Sequence, residues 1–257
     1  MFFIVGGNGL TGSAFVRYFD QINEDYKIIQ KENKEDFFGK SCDTLIFANG
    51  NALKYKANQD PYFDFIASVA SVSEYVNKID FKKIILLSSV DVYPEKNSEK
   101  HTLESNVIDV KKLDNYGYHK FLAENYVQNK TNNYLIFRLP SLVGIGLKKN
   151  QAYDYIHEHK QVMVSPLSKF NFINTDYIAN VVTKILNENI KNEIFNLASK
   201  NSMLIKDIKK IVGFDSEYTE TANDFLYNYQ INTNKISKYV KLTSSEEAIE
   251  AYYHSLK

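Results

Sequence analysis

Residues 1–12 read MFFIVGGNGLTG. Four apolar residues, Phe2, Phe3, Ile4 and Val5, run directly into Gly6, Gly7, Gly9 and Gly12. This predicts a buried strand, a glycine turn and the start of a helix. Backbone N–H groups at a helix start lack intrahelical partners, and the helix dipole is positive there, so a phosphate can rest on them. Glycine keeps side chains from blocking the phosphate or the helix–strand contact. The spacing is Gly-x-x-Gly-x-x-Gly over Gly6, Gly9 and Gly12. Taken alone, the turn also suits any α/β protein with a glycine loop.

Working outward, apolar strands alternate with amphipathic stretches. Ser13 to Phe19 is spaced for one helix face, and Tyr26 to Ile29 is a second strand. Residues 31–40 hold at most a brief helix near Glu35 to Phe38. Thr44 to Ala48 is a third strand, ended by Asn49-Gly50. Pro61 to Lys78 predicts one long helix with Phe65, Val69, Val72 and Val76 on a stripe. Lys83 to Ser88 is a fourth strand, apolar on both faces as in a parallel sheet. Tyr116 to Gln128 is helical and Tyr134 to Arg138 is a fifth strand. The alternation predicts an α/β fold built on a doubly wound parallel sheet. Only about a dozen residues separate the second strand from the third, too few for a full crossover, so one crossover should be trimmed.

From Leu139 the pattern loosens. Helices are expected at 152–159, 176–187, 203–212 and 245–254, and strands at 170–174 and 194–197. This half reads as a small C-terminal α/β lobe at the carboxyl edge of the sheet, where ligands of open α/β sheets bind.

Composition narrows the partners. The 257 residues carry 31 basic and 31 acidic side chains. That balance argues against a nucleic-acid or acidic-membrane surface. A single cysteine, Cys42, excludes an internal disulfide and fits a reducing compartment. No apolar run is long enough to span a bilayer, and a strand beginning at residue 2 leaves no room for a signal peptide. A cytoplasmic protein is expected. His157 and His159, in HEH, are two apart and face different sides of a helix, so no metal site is expected.

Two further stretches carry chemistry. In YGYHK, Tyr116 and Lys120 are four apart and share a helix face. A lysine ammonium near a phenol favours the phenolate, and a tyrosine so tuned can act as general acid or base at a carbonyl or alcohol. In a chain with 19 tyrosines such spacing also arises by chance. In SSVDVY, residues 88–93, Ser89 ends a strand, where its hydroxyl can bond a substrate oxygen or merely satisfy a turn.

In this order the three motifs resemble the extended short-chain dehydrogenase/reductase superfamily, which includes nucleotide-sugar epimerases, dehydratases and 4-ketoreductases. RLPSLVG (138–144), FNFINTDYIANVV (170–182) and IFNLAS (194–199) extend the likeness along the chain. The resemblance implies a Rossmann dinucleotide-binding domain over 1–140. It implies a mainly substrate-binding lobe over 141–257, with some segments returning to the first domain. It assigns the cofactor pyrophosphate to Gly6, Gly9, Leu10 and Gly12, and the catalytic roles to Ser89, Tyr116 and Lys120. Ala48, Gly50 and Ser88 are further cofactor contacts, and Leu139 and Pro140 approach the nicotinamide. Ser89, Asp91, Tyr116, Ser141 and Asn174 face the substrate, with Asn174 standing where the family usually has histidine.

The chain departs from the family at the adenosine end. Gln30 occupies the place of the acid that holds the NAD ribose, and Lys31 follows it. A lysine there can pair with a 2′-phosphate, which favours NADP. NAD is the alternative if Glu32 takes the ribose. The expected activity is reduction of a 4-keto sugar on a nucleotide, with Tyr116 as proton donor. A nucleotide-sugar epimerase with tightly held NAD is the alternative. Behind these stand a dehydratase, for which Asp91 supplies only half of the usual signature, and a redox-inactive binding protein. The helices at 61–78 and 116–128 are where relatives pair, so a homodimer is expected.

Overall fold

The computed structural model describes residues 1–157 and 160–257. Its chain divides into two compact units. The first comprises residues 1–94, 107–138 and 179–195; the second comprises 95–106, 139–178 and 196–257.

The first unit is built on a parallel six-stranded sheet. The apolar run Phe2–Val5 (β1) enters the helix Leu10–Ile22 (α1), which buries Ala14, Phe15 and Phe19 and stops at Asn23 in the left-handed region. Tyr26–Ile29 (β2) pairs in parallel with β1, and Ser41–Phe47 (β3) pairs with its other side. Asp80–Ser89 (β4), Tyr134–Leu139 (β5) and Glu193–Asn196 (β6) complete the order β2–β1–β3–β4–β5–β6. Strand order reverses at β1, so the glycine turn sits at the switch point of the sheet, where such folds bind ligands.

The trimmed crossover is present as expected. β2 is an edge strand, and a single 3₁₀ turn, Lys34–Phe37, leads towards β3. Its Phe37 ring meets Phe3 edge-on at 5.2 Å, covering part of the sheet face where a crossover helix would lie.

The long helix expected over 61–78 is interrupted. Pro61–Phe65 (α3) starts with proline in its first turn, capped by Asp60, whose carboxylate accepts from the Phe63 N–H. A π turn follows at Ile66–Ala70, and Ser71–Lys78 is α4. The Ser71 N–H bonds back five residues to Ile66, the extra residue that defines a π turn. A short helix not expected from the sequence, Lys54–Gln59 (α2), precedes them. Asn115–Lys130 (α5) is capped by Asp114.

The second unit has its own core, including Val143, Tyr155, Phe172, Met203, Ile249 and Tyr252. The strand expected at 170–174 is broken at Asn171. Phe170 pairs with Met203 in one small sheet, and 172–174 pair with 141–143 in another. The break follows from Asn171, whose amide bonds the carbonyls of Ser199 and Asn201. The helix expected at 203–212 is a two-residue strand, a 3₁₀ turn and one α turn ending at Gly213. The helix Gln151–Ile156 ends before the expected boundary at 159, and His159 lies outside the described residues.

Candidate active site

The glycine turn is tight for steric reasons. Gly6 has φ +81°, and a Cβ on it would press on Ala48 and Asn49 at 3.1–3.2 Å. A Cβ on Gly12 would lie 2.1 Å from the Gly6 carbonyl oxygen. No side chain fits there, so α1 starts directly against the end of β1. Gly9 caps α1 without a side-chain bond. The N–H groups of the first helical turn therefore have no intrahelical partner.

One contact at this turn went unread in the sequence. The Gln30 carboxamide oxygen accepts from the Gly7 and Asn8 N–H groups, at 3.0 and 2.8 Å. Gln30 therefore braces the turn, and its NH₂ is left to donate elsewhere. It lines a cleft of about 990 Å³ together with Gly6, Lys31, Glu32, Lys34 and Glu74. Lys34 is bound to Glu74 at 2.6 Å. Lys31 has no ion-pair partner among the described residues.

The loop after β3 connects this turn to the second constellation. Gly50 has φ +128°, and a Cβ on it would lie 3.1 Å from Lys120 Nζ. Lys120 Nζ lies 5.4 Å from the centre of the Tyr116 ring. Ser89 is a neighbour of the Tyr116 hydroxyl, and its own oxygen accepts from the Asp91 N–H at 3.1 Å. Gly117 makes this apposition possible. A Cβ on it would lie 2.3 Å from the Asp91 carbonyl oxygen. The first turn of α5 thus lies against the loop that carries Ser89.

Electrostatics set the charge states. Burial pushes the Tyr116 phenol above its ordinary range; Asp91 adds to this, the neighbouring Ser89 hydroxyl opposes it, and Asp64 and Asp114 reinforce it. The sequence reading, with Lys120 lowering Tyr116, is reversed by this burial. The resting phenol is protonated. Burial lowers the Lys120 ammonium to about 8, partly opposed by Asp64. Lys54 bridges Asp114 at 2.9 Å and Asp91 at 3.4 Å. Burial alone would lower Lys54, but the two carboxylates overcome it and hold the ammonium above its usual range.

A model of the NAD dependent epimerase/dehydratase family matches residues 28–198, more than half of the chain. The chain belongs to that family. No curated protein matches the sequence. Among solved structures, UDP-glucuronic acid 4-epimerase from Bacillus cereus, with UDP-glucuronic acid and NAD, is similar at TM-score 0.79 and 16% identity, covering 98% of each chain. UDP-N-acetylglucosamine 4-epimerase from Methanobrevibacter ruminantium M1 is similar at TM-score 0.80 and 15% identity, covering 99% of this chain and 97% of the other. RMD from Pseudomonas aeruginosa, complexed with NADPH, reaches TM-score 0.81 at 13% identity, covering 100% and 99%. These likenesses establish the fold of the epimerase/dehydratase family across the chain.

The remaining expected residues have local roles in this family member. The Ser88 hydroxyl donates to Glu124 at 2.5 Å, in the core. Leu139 ends β5 and is buried, and Pro140 separates it from Ser141, which opens the strand paired with 172–174. Asn174 accepts from the Asp176 N–H at 2.9 Å, bracing the start of the helix Thr175–Asn187. Cys42 is a buried thiol pushed up to about 12 by burial and Asp43, which leaves it inert. Among the described residues no group of three acidic, histidine or cysteine side chains could hold a metal, and no helix is long and apolar enough to cross a membrane.

Proposed function

We propose that the protein is an NAD(P)-dependent oxidoreductase of nucleotide-linked sugars that reduces a 4-keto group. The observation that carries this is the apposition of the protonated Tyr116 phenol and the Ser89 hydroxyl, with Lys120 behind them. The loop 48–50 joins that cluster to the Gly6–Gly12 cradle. The cradle fits a dinucleotide: a Cβ at Gly12 has no room, and the free N–H groups of the first turn of α1 suit a pyrophosphate. Gln30 would donate to the ribose from its free NH₂, and the unpaired Lys31 suits a 2′-phosphate, so NADP is the preferred cofactor and NAD the alternative. When bound, the nicotinamide supplies the hydride.

Tyr116 gives its phenolic proton to the keto oxygen, and Ser89 holds that oxygen by a hydrogen bond. Lys120 presents its ammonium to the nicotinamide ribose and offsets the negative charge left on Tyr116. Asp91 faces the substrate but is held by Lys54, an arrangement that suits an electrostatic role over water elimination. The roles of Leu139 and Pro140 at the nicotinamide, and of Ser141 and Asn174 at the sugar, rest on the resemblance. The exposed Tyr62, Phe63, Phe65 and Ile66 on α3 and its continuation, with Tyr118 on α5, suit pairing with a second copy of the chain.

A panel of 4-keto nucleotide sugars with NADPH and NADH, followed by nicotinamide absorbance, tests the reading. Stoichiometric oxidation of NADPH is expected, and Tyr116→Phe should lower turnover by about 100-fold or more with cofactor affinity retained. Turnover unchanged in Tyr116→Phe would remove the assignment. A second reading, 4-epimerisation with retained NAD, is favoured by the family and by the 4-epimerases among its structural neighbours. It predicts interconversion of sugars with no net change in nicotinamide absorbance.

A further inference from the structure

Asp64, in α3, is 0% exposed, yet it carries a carboxylate. A buried charge persists only where donors and counter-charges compensate it. One oxygen of Asp64 accepts from Asn51 Nδ2 at 2.9 Å and from the Ser68 hydroxyl at 3.3 Å. The other accepts from His119 Nδ1 at 2.7 Å. Each donor comes from a different piece of chain. Asn51 follows Gly50 in the loop that touches Lys120 Nζ. Ser68 lies in the π turn, and His119 immediately precedes Lys120 on α5. Asn51 also folds its own loop, donating to the Leu53 carbonyl at 3.0 Å and accepting from the Leu53 N–H at 2.9 Å. Asp64 thus ties together three segments that surround the Lys120 side chain.

Lys120 has no carboxylate within ion-pair distance among the described residues. The other charges nearby are already engaged. Asp91 and Asp114 are bridged by Lys54. Glu124, one turn further along α5, is paired with Arg138 at 2.7 Å. Tyr116, one turn before it, is protonated. Ser88 and Asn49, which share a small cavity with Lys120, carry no charge.

We propose that Asp64 is a positioning residue that acts through Lys120: its braced carboxylate keeps the lysine charged and in place to bind the ribose of a nicotinamide nucleotide. His119, Asn51 and Ser68 are the brace. This rests on the dinucleotide reading above and deepens it. Ser68 links the two groups: it donates to Asp64 and lines the small cavity that holds Lys120. Burial destabilises the ammonium, and Asp64 is the charge that opposes it. Without Asp64 the ammonium loses its proton at lower pH.

The test is NADPH and NADH affinity measured from roughly pH 6 to 10 for the wild-type chain, Asp64→Asn, and the double variant Asp64→Asn/His119→Ser. The double variant replaces the hydrogen-bonded Asp64–His119 pair with two smaller or neutral polar groups, so it remains informative if the single variant does not fold. Thermal melts establish which variants are folded. In the wild type, affinity should fall as pH rises through about 8. In the variants this fall should begin about one pH unit lower. A folded variant whose affinity falls at the wild-type pH would overturn the proposal and leave Asp64 as packing. If the wild type binds neither nucleotide at any pH, the dinucleotide reading fails. Lys120 ionisation is then read directly from the pH dependence of its acylation rate, and equal profiles in wild type and variants would overturn the role of Asp64.

Discussion

Gly117 shows how a single missing side chain builds this site. It lies between Tyr116 and Tyr118, and a Cβ there would lie 2.3 Å from the Asp91 carbonyl oxygen. Backbone on backbone leaves nothing flexible to give way, so Gly117→Ala must push the start of α5 off the Ser89 loop. Overpacking of this kind costs about 1–3 kcal/mol. The expected outcome is a melting temperature lowered by several degrees and turnover reduced at least about tenfold, with dinucleotide affinity changed less. Melts and steady-state kinetics on the purified variant check it; wild-type kcat would show that the Tyr116–Ser89 apposition tolerates the shift. The same scale governs Tyr116. Burial and its acidic neighbours raise the phenol, so it is protonated at neutral pH.

At the scale of elements, two irregularities shape the candidate site. The π turn at Ile66–Ala70 lets α3 and α4 continue as nearly one helix while Ser68 comes round to Asp64. The trimmed crossover after β2 leaves an open cleft beside Gln30 and Lys31. Because Lys34 is neutralised by Glu74 and Lys31 is not, Lys31 is the cation that the proposed contact to a 2′-phosphate would use. A hydrogen bond to a charged group contributes about 1.5–3 kcal/mol. Lys31→Ala should therefore weaken NADPH at least about tenfold and leave NADH nearly unchanged, as measured by titration calorimetry. Equal losses would show that Lys31 does not select the cofactor.

At the scale of the whole first unit, one buried network ties the site to the sheet. Arg138 in β5 donates to both oxygens of Glu124 in α5, at 2.7–3.2 Å, and to the Tyr93 hydroxyl at 2.8 Å. Ser88 in β4 donates to the same Glu124. Glu124 and the proximity of Tyr93 hold the guanidinium above its usual range despite the cost of burial. Glu124→Gln would leave that cation buried without its partner, at a cost of about 3–5 kcal/mol. A lower denaturant midpoint with unchanged slope is expected in urea unfolding. A variant as stable as wild type would mean that the network sets register, not stability.

The sheet and the candidate residues were legible because both are written locally. FFIVGGNGLTG encodes strand, turn and helix by apolar run and glycine, and YGYHK puts Tyr116 and Lys120 on one helix face through a four-residue spacing. The short gap between Ile29 and Thr44 announced the missing crossover, because chain length limits what can be connected. Other features depended on residues far apart in the chain. Asp64 reads as an ordinary polar residue of an amphipathic helix until folding sets it against His119, 55 positions away. Gln30 reads as a missing acid until its amide meets the glycine turn. The sense of the Tyr116 shift was likewise invisible, since it comes from burial and from carboxylates of other segments. By itself the sequence determined the strand–turn–helix grammar, the sheet class and which groups are candidates for the chemistry, all set by neighbours along the chain. Only the tertiary structure decided their charge and their bracing, because desolvation and Coulomb forces act through space and take no account of sequence distance.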